Sequence, residues 1–143
     1  MTVIFSKKCE IGLQAVLFLS AQTPNQRFSA AEVAKKINAP KEFTSKILQD
    51  LTGSKIVASK KGKFGGFYLG RNPKDIKLID IVIAIDGLEI FHKCVLGFKG
   101  CSVEVPCPCH DKWGSLRDET YKMLSSETLE ELRDSVIRKI DSL

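Results

Sequence analysis

The stretch Lys41-Glu42-Phe43-Thr44-Ser45-Lys46-Ile47-Leu48-Gln49-Asp50-Leu51, followed after four intervening residues by Ile56-Val57-Ala58-Ser59-Lys60-Lys61-Gly62-Lys63-Phe64-Gly65-Gly66-Phe67-Tyr68-Leu69, decides the fold. In its first part Phe43, Ile47, Leu48 and Leu51 recur at helical spacing, which predicts a helix over about Lys41–Leu51 with that stripe turned inward. Lys41, Glu42, Ser45, Lys46 and Gln49 are left on the outer face, and Gly53 is the expected C-terminal stop. In the second part Ile56-Val57 opens one strand and Phe67-Tyr68-Leu69 forms another, with lysines and three glycines between them. A hairpin with a cationic, glycine-bearing tip directly after such a helix is a wing. Lys61 and Lys63 at that tip are placed to reach phosphate or the minor groove.

Upstream, Ser29-Ala30-Ala31-Glu32 is a capping box that starts a helix with Ala30, Val33, Ala34 and Ile37 on its apolar face. Asn38-Ala39-Pro40 ends it, because Pro40 disfavours helical geometry at Ala39. Two short helices joined by a tight turn, the second polar and cationic outside, form a helix-turn-helix. An earlier helix over roughly Ser6–Ala21 buries Ile11, Ala15, Phe18 and Leu19. Downstream, Leu78, Ile79, Val82, Ile83 and Ile85 define a strongly apolar helix ended by Asp86-Gly87. A glycine- and proline-bearing loop spans 88–110. A further helix runs from about Asp111 to Leu124 and is interrupted at Ser125-Ser126. Thr128-Leu129-Glu130-Glu131 opens the last helix through a second capping box. The expected fold is mostly α with a small β-hairpin wing: a winged helix-turn-helix plus a long helix.

The 143 residues are 43% hydrophobic and 27% charged, which is globular composition. No run of 18 apolar residues is present, so no membrane span is expected. The apolar Ile11–Ala21 segment follows Lys7, Lys8 and Glu10 and reads as a buried helix, not a signal peptide, which leads us to expect a cytoplasmic protein. The net charge is +5, unevenly spread. Residues 35–77 hold eleven basic side chains against Glu42, Asp50 and Asp75, a net of +8, while the rest of the chain is −3. That basic block is the electrostatic footprint of a phosphate backbone.

Of five cysteines, Cys94, Cys101, Cys107 and Cys109 fall within sixteen residues, whereas Cys9 lies in the first helix as a small buried residue. In a reducing compartment, clustered thiols are metal ligands or redox sensors more often than structural disulfides. Cys94, Cys101, Cys107 and His110, with gaps of six, five and two residues, suffice for an iron–sulfur cluster or a tetrahedral zinc site. The gaps are wider than the paired spacing of zinc ribbons, which favours a cluster. His92 reads as an ordinary surface histidine. Nothing near the thiols resembles an orienting third group or an oxyanion site, so an enzyme is not expected.

Nearly the whole chain resembles the IscR/NsrR-type regulators, also called the BadM or Rrf-two family. The likeness rests on Phe43–Leu51, Ile56–Gly62, Gly65-Gly66-Phe67-Tyr68-Leu69, Ile76–Gly87, the cysteine loop and Thr128-Leu129. It implies a homodimeric winged-helix transcription factor, usually a repressor, that binds a two-fold symmetric operator in double-stranded DNA. Three divisions are implied: 1–87 for DNA binding, 88–110 for the cluster loop, and 111–143 for the dimerisation helix and the C-terminal helix. Trp113, Leu116 and Leu124 are the implied interface side chains. Lys41, Glu42, Ser45 and Lys46 would contact the major groove, and Lys61 and Lys63 would serve the wing. Cys94, Cys101 and Cys107 would hold a 2Fe-2S or 4Fe-4S cluster that senses iron–sulfur status, redox state or nitric oxide. His110 would be the fourth ligand in the IscR-like pattern, and Glu10 of the other subunit in the NsrR-like one. Cys109 is an extra thiol, and the gap between Cys94 and Cys101 is one residue longer than in the IscR-like pattern. The alternatives are a cluster-free thiol–disulfide switch on the same DNA-binding fold and a structural zinc-binding interaction module.

Overall fold

The computed structural model describes residues 4–143. Helix α1 (Lys7–Ser20) starts where the Ser6 hydroxyl accepts the Cys9 N–H at 3.0 Å. The Ser6 hydroxyl and N–H also donate to the Asp86 carboxylate, at 2.5 and 3.0 Å. Helix α2 (Ala30–Ile37) carries the expected capping box, and Asn38 ends it in the left-handed conformation that asparagine tolerates. Helix α3 (Lys41–Gly53) follows directly, and Thr44, fully buried, donates to the Pro40 carbonyl at 2.8 Å.

Gly53 is not the stop. It remains helical, and the left-handed residue is Lys55. Hydroxyls do the capping instead: Thr52 donates to the Gln49 carbonyl at 2.6 Å and Ser54 to the Leu51 carbonyl at 2.9 Å. The Ser54 bond satisfies a carbonyl that the helix end leaves open.

Strands β1 (Val57–Lys60) and β2 (Gly66–Leu69) pair antiparallel, with Val57 opposite Leu69 and Lys60 opposite Gly66. Phe28 adds a third partner: its N–H donates to the Phe67 carbonyl at 2.9 Å and its carbonyl accepts from Phe67 at 2.7 Å. The wing is therefore fastened to the segment that leads into α2.

A single 3-10 turn (Pro73–Asp75) leads to α4 (Leu78–Asp86). Ile79, Ile81 and Val82 are buried, whereas Ile83, expected on the apolar face, is exposed. A helix of nine residues with six Leu, Ile or Val side chains cannot bury all of them against one neighbour. A second 3-10 turn (Glu89–Phe91) and the cysteine loop precede α5 (His110–Ser126), which extends through the serines expected to interrupt it. Extended backbone at Glu127 makes the break, and α6 (Leu129–Asp141) begins with the Thr128–Glu131 capping box.

The main core gathers Val16, Val33, Ile47, Leu48, Leu51, Ile56, Ile76 and Ile81 from the winged-helix elements, together with Leu129. The Leu129 N–H donates to the Ile76 carbonyl at 2.9 Å, so the last helix is sewn back onto the first half. A smaller cluster of Cys9, Ile79, Val82 and Leu124 docks α5 on α4. Leu124 is thus buried within its own subunit, while Leu116 is exposed. No helix among the described residues is long and apolar enough to cross a membrane.

Candidate nucleic-acid interface and thiol site

Helix α3 presents Lys41, Glu42 and Lys46 as exposed side chains. Ser45 is half-buried, its oxygen accepting from Gln49 Nε2 at 3.3 Å. Lys61 and Lys63 are exposed at the wing tip, where a turn closes through the Gly65 N–H and the Gly62 carbonyl at 3.0 Å. Lys63 Nζ stands 5.7 Å from the ring centre of the exposed Phe64. Among the described residues no ion pair engages Lys41, Lys46, Lys61 or Lys63. Asp50, one of the three acids in the basic segment, is already paired with Lys8 at 2.8 Å, and that contact lowers its carboxyl below the ordinary value. The positive field of this face is therefore open to a polyanion.

One cation here escaped the sequence reading. Arg27 donates to the Phe64 carbonyl at 3.3 Å and stacks over Tyr68 at 5.7 Å, so it braces the wing. It lies outside the lysine-rich segment, and only the Phe28–Phe67 pairing brings it there.

Between α4 and α5 the loop folds Cys94, Cys101 and Cys107 together, with all three sulfurs within 4.8 Å of one another. The Sγ atoms of Cys94 and Cys107 are 3.4 Å apart. Cys101 Sγ lies 3.3 Å from His110 Nδ1 and accepts the Cys107 N–H at 3.4 Å. Gly97 and Gly100, both with positive φ, let the loop double back between the first two thiols. Trp113 Nε1 donates to the Lys93 carbonyl at 3.0 Å and ties the loop's start to α5.

Cys109 sits at the N-cap of α5 outside the trio, and Glu10 pairs with Lys7 of its own chain at 3.5 Å. His92, read as a surface residue, is exposed and stands on the rim of the pocket that the thiols line, as does Lys93. Arg117 lines the same pocket and was not anticipated; its sequence signal is a position seven residues after His110 on one helix.

The three thiols are not equivalent. Burial opposes ionisation of Cys94, yet backbone hydrogen bonds from Phe98 and Leu96 and contacts with the Cys107 and Cys101 thiols outweigh it and bring its pKa down to about 7. Burial pushes Cys107 up to about 11, aided by its contacts with Cys94 and Cys101 against a backbone hydrogen bond at Cys109. A thiol that ionises near neutrality, beside two further sulfurs and an imidazole, is a soft donor set suited to a thiophilic metal centre. It is equally equipped for thiol oxidation.

A helix-turn-helix with a cationic wing, followed by a thiol loop between α4 and α5, defines a winged-helix transcriptional regulator. The chain belongs to the Rrf2 family, described as iron-dependent transcriptional regulators, whose model it matches over residues 5–135. A protein of Aquifex aeolicus (strain VF5) named as an HTH-type transcriptional regulator is 29% identical over 132 residues, 91% of each chain. The structure of IscR from T. potens superposes with a TM-score of 0.69 at 25% identity, covering 92% of this chain and 87% of that one. CymR (YrzC), the global cysteine regulator of B. subtilis, has the same fold, with a TM-score of 0.73 at 24% identity over 92% and 96% of the two chains. Family membership implies DNA binding.

Proposed function

We propose that this regulator is a homodimeric repressor whose grip on a two-fold symmetric operator is set by an iron–sulfur cluster held by Cys94, Cys101 and Cys107, with His110 as fourth ligand. The convergence of three sulfurs within 4.8 Å, with His110 beside Cys101, carries this reading. A bound 2Fe-2S or 4Fe-4S centre supplies one-electron redox chemistry and lability to oxidants or nitric oxide.

The chain's own residues translate that chemistry. Residues 1–87 read DNA, 88–110 hold the centre and 111–143 pair the subunits. Trp113 and Lys93 fasten the loop to α5, while the cluster of Cys9, Ile79, Val82 and Leu124 fastens α5 to the winged helix. Rearranging the loop therefore changes how α5 sits, and with it the spacing of two winged helices across a dimer. A coupling of about 1–3 kcal/mol between site and operator makes a useful switch. At the operator, α3 enters the major groove with Lys41, Glu42, Ser45 and Lys46, while Lys61 and Lys63 hold the flanking phosphates.

Anaerobic purification followed by visible absorption and iron and sulfide assays tests the reading. Colour with stoichiometric iron and sulfide supports it, and Cys94→Ser, Cys101→Ser and Cys107→Ser should each remove both. A colourless protein containing neither refutes the cluster while leaving the DNA-binding assignment intact. A second reading has its own observation. Cys94 and Cys107 stand 3.4 Å apart, so a thiol–disulfide switch on the same fold would show a reversible Cys94–Cys107 crosslink that alters operator affinity.

A further inference from the structure

Arg117 shares a small pocket with Cys94, Cys101, Cys107, His110 and Trp113. On α5, His110, Trp113 and Arg117 are spaced three and four residues apart and project from one face. Long helical side chains lean toward the N-terminus, which on α5 is the end that carries the cysteine loop. Gly114 leaves that path clear. A Cβ placed there would meet only Arg117 Nη2, at 3.6 Å, so the guanidinium lies back over the glycine toward the thiols.

The buried Nε of Arg117 has no hydrogen-bond partner, and Arg117 forms no ion pair among the described residues. An unsatisfied buried donor is costly, and more so when charged. Neutral thiols accept weakly, whereas an ionised sulfur makes a charge-assisted bond. The charge count points the same way. Three thiolates and a neutral imidazole around a divalent ion leave a net charge of −1, and one guanidinium cancels it.

We infer that Arg117 is the positioning residue that completes the thiol site: its guanidinium donates to sulfur in the group held by Cys94, Cys101 and Cys107 and favours the metal-bound, more negative state. The inference rests on the reading of those cysteines as ligands. Arg117 is not itself a ligand, since a guanidinium keeps its protons. The same cation should favour gain of an electron at a redox centre held there. Gly114 serves as its seat, and a bulky side chain at that position would displace it.

Co2+ is the probe, added anaerobically to the full chain, with sulfur-to-cobalt absorption as the readout and a chelator in competition. Arg117→Gln should weaken Co2+ binding about tenfold or more, as removal of an outer-shell partner does. Arg117→Lys should restore part of the loss by keeping the charge, and Gly114→Leu should reproduce the defect with Arg117 still present. In iron-reconstituted protein, Arg117→Gln should lower the reduction potential; a tenfold shift between redox states is about 59 mV for one electron. Circular dichroism confirms that each variant folds. Unchanged Co2+ affinity and potential in folded Arg117→Gln would overturn the inference, and a weaker dimer in that variant would assign the guanidinium to a subunit contact instead. Wild-type protein that binds neither Co2+ nor a cluster would remove the ligand reading and this inference together.

Discussion

Gly66→Ala is the sharpest test of how the wing is held. Gly66 opens β2 with φ near +144, a region that L side chains rarely adopt. A Cβ at this position would stand 2.8 Å from the Phe28 carbonyl oxygen, 2.9 Å from its carbon and 3.0 Å from its nitrogen. All three are backbone atoms, so no rotamer change relieves the clash. Either the backbone moves or the Phe28–Phe67 bridge breaks. The strained φ costs about 1–3 kcal/mol, and each lost backbone bond costs about 1 kcal/mol net. We expect a loss of about 2–5 kcal/mol in urea unfolding followed by circular dichroism, with a lower midpoint and little change in slope. Gly53→Ala is the matched control, because its Cβ meets nothing within 4 Å and the residue is helical. It should be neutral or stabilising by about 0.5–1 kcal/mol. Fluorescence anisotropy with operator-length duplex should show Gly66→Ala weakened at a temperature where it is still folded. If Gly66→Ala unfolds within about 0.5 kcal/mol of wild type, Phe28 is not what fixes the wing, and the reasoning from backbone contact is wrong.

Three further outcomes follow from the geometry. The Lys61→Ala/Lys63→Ala double variant should bind duplex DNA more weakly, with a salt slope shallower by up to about 1.8 in log–log units if both lysines meet phosphate; an unchanged slope would take the wing out of the interface. Burial and the Asp86 carboxylate raise the Cys9 thiol from its ordinary 9.0 to about 12, so the folded chain keeps a proton that the unfolded chain releases. The stability tied to Cys9 is whole below pH 9 and falls by about 1.4 kcal/mol per pH unit between 9 and 12. Cys9→Ala should show a smaller alkaline decline than wild type, and parallel profiles would count against the buried thiol. Ser29→Ala removes the cap that accepts the Glu32 N–H at 3.1 Å and should cost about 0.5–2 kcal/mol, measured by thermal unfolding.

The helix-turn-helix was legible because its signals are local. Capping boxes, a proline-marked turn and an apolar stripe all act within one or two turns of chain. Even so, the stripe on α3 is rotated: Thr44 is fully buried while Phe43 is only half-buried. Spacing singled out Cys94, Cys101, Cys107 and His110 and left Cys109 as an extra thiol without a physical reason to set it apart. The separation comes from the loop path, turned at Gly97 and Gly100, which brings distant thiols together and leaves Cys109 at the helix cap. Arg27 and Arg117 stayed hidden for the same reason, since each acts on atoms that only tertiary folding delivers.

The burial of Leu129 sets a schedule for the chain as it is made. The helix-turn-helix and wing leave the ribosome first, but the core beneath them lacks a side chain that comes more than forty residues after Gly87. At about 5–20 residues per second, that interval lasts about 2–8 s. Leu17, Ile37 and Leu78, which line one groove with Leu132, Val136 and Ile140, wait longer still, until α6 is made as far as Asp141. A polypeptide cut short within the thiol loop thus carries α3 and the wing on an open core. We expect such a product to be captured by chaperones and proteases instead of persisting as a stable winged helix. The fold thereby couples closure of the winged-helix core to completion of the last helix.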